Sequence, residues 1–148
     1  MNMSHVVLRP AEAADLEAIT ALLQESRLPV DGLREALPGA VVATRGGRIV
    51  GCVAVESHGR AALLRSLVVS ADERGCGLGA ELTAKVLAAA QAAGIRDVYL
   101  LTETARDFFP RFGFAVADRA GAPAPLRDSV EFRSACPESA VMMHARLT

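Results

Sequence analysis

Cysteine is scarce in this chain. Cys52, Cys76 and Cys136 stand far apart in 148 residues, an odd number without paired spacing, which indicates neither a disulfide framework nor a zinc knuckle. His5, His58 and His144 form no cluster in the sequence, so no metal site is expected. Neither sign of charge dominates: 16 Lys and Arg against 17 Asp and Glu leave a net charge of −1, with a pI near 6.3. That balance leaves no electrostatic footprint for nucleic acid or an anionic membrane. The longest apolar run falls well short of a membrane span, and the N-terminus lacks the basic, apolar and small-residue regions of a signal peptide. The expectation is a cytoplasmic protein without nucleic-acid or membrane partners.

What is present is apolar and periodic. Hydrophobic residues make up 51% of the chain, and this length reads as one domain over residues 1–148, able to bury about two thirds of its unfolded surface. The organising stretch is Leu63 to Leu87. An apolar strand, Leu63 to Val69, leads through a polar turn into Arg74-Gly75-Cys76-Gly77-Leu78-Gly79-Ala80, and then into an alanine- and leucine-rich helix. Glycines let backbone N–H groups turn inward, and a helix start adds four unpaired donors and the positive end of a dipole. The natural ligand is a phosphate or pyrophosphate.

Three phosphate loops compete for this segment. A Walker-type loop needs Lys-Ser or Lys-Thr after its last glycine, and Ala80-Glu81 stand there instead. The dinucleotide fingerprint is met in letters by Gly75, Gly77 and Ala80, with Glu103 after the next strand as a ribose acid. Its first glycine should come directly off the strand, however, and Ser70 to Arg74 intervene. The third option is an acyl-CoA loop of the form Arg/Gln-x-x-Gly-x-Gly/Ala, which Arg74, Gly77 and Gly79 match at every fixed position.

The rest of the chain reads as alternating elements. His5 to Arg9 is a short strand that Pro10 ends. Ala11 to Ser26 is a helix with Leu16, Ile19, Leu22 and Leu23 on one face, and Asp31 caps a second helix, Asp31 to Leu37, closed by Pro38-Gly39. Ala40–Thr44 and Arg48–Glu56 form a hairpin around Gly46-Gly47, and His58-Gly59 turns into the Leu63 strand. Leu78 to Ala93 is a helix stopped by Gly94, followed by a buried strand, Asp97 to Leu101, parallel to its predecessor. Thr104 to Phe112 reads as a short helix despite Pro110, and Gly113 to Val116 starts another strand. Gly121 to Pro125 is a loop, Arg127 to Ala135 a helical turn, and Val141 to Leu147 a last strand.

This order resembles that of the GCN5-related N-acetyltransferases. A second motif supports the likeness: where that family carries Asn-x-x-Ala-x-x-Phe-Tyr-x-x-x-Gly-Phe, this chain has Thr102, Ala105, Phe108, Phe109, Gly113 and Phe114. Threonine replaces the asparagine and phenylalanine the tyrosine. The resemblance covers roughly residues 5 to 147. It implies an α/β (α+β) fold whose central mixed, mostly antiparallel sheet splays between strands 4 and 5 and is flanked by helices. It also implies acetyl-CoA as cosubstrate, with no metal. Main-chain groups of Leu67, Val68 and Val69 would pair with the pantetheine arm. N–H groups of Arg74, Gly75, Cys76, Gly77, Leu78, Gly79 and Ala80 would hold the pyrophosphate, and Thr102 and Phe109 would line the cofactor site. An N–H near Val69 would polarise the thioester carbonyl, and a small-molecule amine would attack directly, without an acyl-enzyme.

The departures matter for catalysis. In many relatives the tyrosine protonates the departing thiolate, and Phe109 cannot. A thiol pKa of ~8.5 makes an acid dispensable, and Tyr99, the one tyrosine, reads as core. Glu103, beside the expected thioester, is the favoured base; its other reading is a helix N-terminal acid, and Glu56 is the alternative base. Closer resemblances are to the arsenic-resistance N-acetyltransferases of the second ArsN type and to glutamate-type amino-acid N-acetyltransferases. The first rests on Ala62 to Val69, Tyr99 to Ala105, Glu131-Phe132 and Cys136 to Ala140. Both imply an amino-acid-like acceptor, with Arg65 binding a carboxylate and Ser66 and Arg133 as lesser candidates. Other readings stay open: Arg65 as a surface or cross-strand residue, Cys136 as a pocket thiol, a trivalent-arsenic site of three thiolates, an acyl-CoA sensor without turnover, a nucleotide-binding oxidoreductase, and a homodimer.

Overall fold

The computed structural model describes residues 5–129 and 140–147. Strands β1 (Val6–Pro10), β2 (Ala40–Arg45), β3 (Arg48–His58), β4 (Ala61–Val69), β5 (Asp97–Thr102), β6 (Ala115–Ala117) and β7 (Val141–Arg146) form one sheet in the order β1-β2-β3-β4-β5-β7-β6. The helices are α1 (Leu16–Glu25), α2 (Leu33–Ala36), α3 (Leu78–Ala92) and α4 (Ala124–Arg127). All strand pairs are antiparallel except β4 with β5, because the α3 crossover returns the chain in the same direction. Mixed sheet, antiparallel majority and flanking helices are as the sequence implies.

Two apolar layers clamp the sheet. On one face Leu78, Leu82, Val86 and Leu87 of α3 pack on Val53, Val55, Leu64, Val98 and Leu100. A Cβ at Gly51 would sit 3.1 Å from a Leu82 methyl, so this glycine admits the helix onto β3. On the other face Ile19, Leu22 and Leu23 of α1 cover Val42, Cys52 and Val68. Strand alternation sends Cys52 and Val53 to opposite layers.

Several local expectations are corrected. Thr104 to Phe112 is not a helix: turns lead to a single 3-10 turn over Phe109–Phe112. Pro110 supplies no N–H there, and the Thr102 hydroxyl accepts the Ala105 N–H at 3.0 Å, setting a side-chain turn instead. Gly32, at φ 76, and not Asp31, caps α2. The helix placed at Ala11 begins as a 3-10 turn, Ala13–Asp15, because Asp15 accepts the Glu12 N–H and pairs with Arg9. Pro10 ends β1 from within, on an edge strand that loses no ladder bond to it. Pro125 lies inside α4, in the first turn, where its missing N–H costs nothing. The turn expected over Arg127 to Ala135 falls mostly outside the described residues, as do Glu131, Phe132, Arg133 and Cys136 to Ser139.

Candidate active site

The site begins where two strands part. β4 and β5 pair over three residues only, Ala61 to Leu63 with Asp97 to Tyr99. Three residues further on, β4 carries an extra residue against β3: Cys52 faces Val68 and Ala54 faces Arg65. The bulge centres on Ser66, whose φ is 61, a left-handed backbone that increases local twist and bends the strand. The Cys52 thiol donates to the Ser66 carbonyl at 3.2 Å and holds the bulge from behind.

Beyond the bulge the backbone of β4 divides its donors. Ser70 N–H donates to Val50 O at 2.8 Å, so by alternation Val68 also faces β3, while Leu67 and Val69 turn their main-chain groups toward the gap. The outward groups come from Leu67 and Val69 and not from Val68, whose side chain is buried.

Two adjoining clefts occupy the gap. The larger, about 680 Å³, is lined by Ser26 to Pro29 after α1, Leu64 to Val69, Arg74, Leu100 to Ala105, Phe109 and Ala140. The second, about 600 Å³, shares Leu67, Val68, Val69, Arg74, Thr104 and Ala105, and adds Gly79, Asp107, Phe108 and Arg111. Together they form a trough whose central wall is β4.

Of the glycine segment, Arg74 and Gly79 line this trough, and Gly75, Cys76, Gly77, Leu78 and Ala80 do not. Gly75 and Gly77 have φ of 85 and 83, and Gly77 is the N-cap of α3, so the turn requires a residue without a Cβ penalty. A Cβ at Gly79 would lie 3.7 Å from the Phe108 ring, an ordinary contact, consistent with a motif that admits alanine there. Side chains tie the loop down. Glu73 takes a two-bond contact from Arg45, at 2.8 and 3.1 Å. Asp72 accepts the Ser70 hydroxyl at 2.7 Å, and that bond holds its carboxyl below the usual range. Arg74 folds back, its Nε donating to Val69 O at 3.0 Å and its Nη2 to Ser26 Oγ at 3.2 Å. Cys76 is exposed in the loop.

Other expected residues divide. Glu103 is exposed and lines the larger cleft, as do Thr102, Arg65 and Ser66. Phe109 is buried, edge-on to Phe114, and lines the same cleft. Arg65 is buried at 2% exposure, with Nε donating to Ser66 Oγ at 3.1 Å, which removes the surface reading. Glu56 lines neither cleft and lies 3.7 Å from His58 Nε2. Tyr99 stacks on His144 with ring centroids 4.6 Å apart; burial, then the nearby Asp97, pushes its hydroxyl pKa up. Cys52 is buried and its thiol is pushed up to about 12, chiefly by burial and against the pull of Arg65. Among the described residues, no group of three or more His, Cys, Asp and Glu converges, and no helix is long and apolar enough to cross a membrane.

Sequence reasoning missed the bulge, the Ser26–Pro29 wall and Arg111, which lies over the Phe108 ring at 4.7 Å. Arg111 had a signal, a cation three residues from Phe108. The wall had none, because its closeness to β4 is tertiary.

The family model of the GNAT acetyltransferase domain matches residues 38–116, just over half of the chain. The chain belongs to the GNAT acetyltransferase family. It is an acyltransferase of the N-acetyltransferase type. An uncharacterized N-acetyltransferase of Chlorobaculum tepidum is 28% identical over 153 residues, covering 96% of this chain and 98% of that protein. The N-acetylglutamate synthase of Neisseria gonorrhoeae, solved with coenzyme A and N-acetyl-glutamate, shares the fold at a TM-score of 0.82 and 21% identity, over 99% of this chain and 36% of that one. This GNAT chain thus spans about a third of the synthase. Rv2747 of Mycobacterium tuberculosis, solved with CoA and a second small molecule, has a TM-score of 0.81 at 23% identity, over 96% of this chain and 99% of that one.

Proposed function

We propose that this protein acetylates the amine of a small, amino-acid-like acceptor, using acetyl-CoA and direct transfer within one domain. The observation that carries the reading is the parted β4–β5 seam, with outward main-chain groups of Leu67 and Val69 leading straight to the glycine-capped start of α3.

The residues fit an acyl-CoA. Leu67 offers edge-strand hydrogen bonds to the pantetheine amides, while the Val69 carbonyl already accepts from Arg74 Nε and leaves its N–H for the thioester end. Backbone N–H groups from Arg74 to Ala80 and the dipole of α3 receive the pyrophosphate. The cosubstrate supplies an activated acetyl group. The Val69 N–H would polarise the thioester carbonyl as its oxygen gains charge. Glu103 takes the ammonium proton, directly or through one water, and Phe109 leaves the departing thiolate to solvent. The buried charge of Arg65 draws an acceptor carboxylate to the Ser66 bulge.

The glutamate-type and arsenic-resistance readings differ only in the acceptor. The synthase likeness favours the first, while the second rests on the sequence resemblance of the β4, β5 and C-terminal segments. Release of free CoA thiol from acetyl-CoA is measured against amino acids, their phosphinic and arsenic-containing analogues, and polyamines. Turnover confined to amino acids or their analogues is the expected result. Tight CoA binding with no release from any amino acid or analogue on the panel sinks the amino-acid acceptor reading.

A further inference from the structure

The glycine loop is held from a part of the sheet that lies outside the cleft. Backbone N–H groups from Arg74 to Ala80 find no acceptor among the described residues, and Gly75 and Gly77 stand at positive φ. The loop therefore takes its shape from what holds its two ends. One end is α3 itself. The other is Glu73, a carboxylate only 8% exposed, which receives Arg45 Nε at 2.8 Å and Arg45 Nη2 at 3.1 Å. Arg45 closes β2, which β3 separates from β4, so this contact reaches across the sheet from the β2–β3 hairpin. The next residue, Arg74, clasps Val69 O and Ser26 Oγ. A single ion pair thus fixes the point from which both the loop and that clasp depart.

Charge gives the pair a second consequence. Asp72 and Glu73 set two carboxylates directly ahead of a segment that offers donors to an anion. Asp72 and its partner Arg48 stand 3.5 Å apart with side chains 66% and 60% exposed, so solvent screens that carboxylate already. Glu73 is shielded from solvent, and its charge is balanced by Arg45. A buried carboxylate stripped of its cation would repel a pyrophosphate and draw its turn toward water.

We propose that Arg45 and Glu73 are positioning residues for acetyl-CoA: their ion pair braces the phosphate loop against the sheet and cancels a carboxylate that would otherwise oppose the pyrophosphate. The inference rests on the acyl-CoA reading of the loop and is independent of the acceptor. It brings into cofactor binding a hairpin that lines neither cleft. A brace of this kind lowers the cost of ordering the loop around its ligand.

The test is calorimetry of acetyl-CoA binding to wild type, Arg45→Gln, Glu73→Gln and Arg48→Gln, at a temperature well below the Tm of each. Arg45→Gln leaves the carboxylate bare and should raise Kd by about tenfold or more. Its deficit against wild type should shrink between about 0.05 M and 0.5 M salt, because the shorter Debye length screens the repulsion. Glu73→Gln loses the brace without leaving a bare carboxylate, and its smaller loss, about threefold, should not depend on salt. Arg48→Gln should bind as wild type does. If Arg45→Gln does not fold, the double variant Arg45→Gln/Glu73→Gln takes its place; it holds no buried charge and should bind as Glu73→Gln does. Wild-type affinity in Arg45→Gln or in the double variant overturns the proposal, as do equal, salt-independent losses in the two single variants. Gly77→Leu separates this inference from its premise. If that variant also keeps wild-type affinity, the acyl-CoA loop reading falls and the brace with it; a weakened Gly77→Leu beside an unaffected Arg45→Gln overturns the brace alone.

Discussion

The two flanks of β4 are built from one strand and behave oppositely. Toward β3 it is paired from Ala61 to Val69 with one bulge; toward β5 it is paired for three residues and then lets go. Cohesion and opening are thus separated across a single backbone. The β3 flank anchors the bulge through Cys52 and keeps Val68 buried. The β5 flank can present the Leu67 main chain and the Val69 N–H to a ligand because the other side already holds the strand, and Arg74 occupies the Val69 carbonyl. An edge presented inside a cleft also escapes the pairing with other chains that an exposed edge invites.

That contrast is broken most severely at the glycine loop. Gly77→Leu should weaken acetyl-CoA binding by two orders of magnitude or more, read by calorimetry, because a side chain at φ 83 displaces the N–H groups of the loop. The strain costs about 1–2 kcal/mol, a few degrees of Tm. Unchanged affinity would remove the phosphate role from the loop. Next comes the chemistry of the open flank. Glu103→Gln should lower kcat by roughly 10²- to 10⁴-fold and erase the limb of the pH–rate profile that reports base ionisation. An intact profile would return the proton to water.

The bulge itself can be sharpened. Ser66→Val places a β-branched residue at φ 61 and should cost about 1–2 kcal/mol in chemical denaturation, whereas Ser66→Gly should be neutral or stabilising. If valine proves harmless, the bulge does not depend on that backbone state. Thiol reactivity separates the flanks more gently. An alkylating reagent at pH 8 should modify Cys76 quickly and leave Cys52 protected, since a thiol pushed up to about 12 carries almost no thiolate. Peptide mapping by mass spectrometry distinguishes the two.

The smallest effect is on acid stability. Hydrogen bonds from Arg9 to Asp15 and from Ser70 to Asp72 hold both carboxyls below their ordinary value of 3.8. Their contribution is present in full above that value and is lost as pH falls through the lowered folded-state values. Denaturation midpoints of wild type and Asp15→Asn should therefore differ at pH 6 and draw together as pH falls below 3.8. A constant difference would show that the Asp15 ionisation contributes nothing.

Most of the architecture was legible along the chain. Continuous apolar runs marked β2, β3 and β4, and alternation marked β7, to within a few residues, and Gly46-Gly47 and Gly94 marked their turns, because a backbone at positive φ selects glycine directly. Arg74, Gly77 and Gly79 marked the loop for the same reason. The segment from Thr104 to Phe112 was misread: its apolar spacing suits a helix, yet the Thr102 side-chain turn and Pro110 outweigh that spacing. Glu103 was the favoured base in one dimension and Glu56 the alternative, and the folded sheet sets Glu103 in the cleft lining and Glu56 outside it.

What the sequence by itself determined, then, is whatever depends on a residue and its near neighbours: the strand, the glycine turn, the helix that follows and the missing hydroxyl at Phe109. Tertiary structure alone decided the rest. Ser66 is an ordinary strand residue until β3 and β4 disagree by one position, and Arg27 is an ordinary end to α1 until its turn lies beside β4. Through-space placement depends on the register and packing of segments distant in the chain, and no single residue type encodes it.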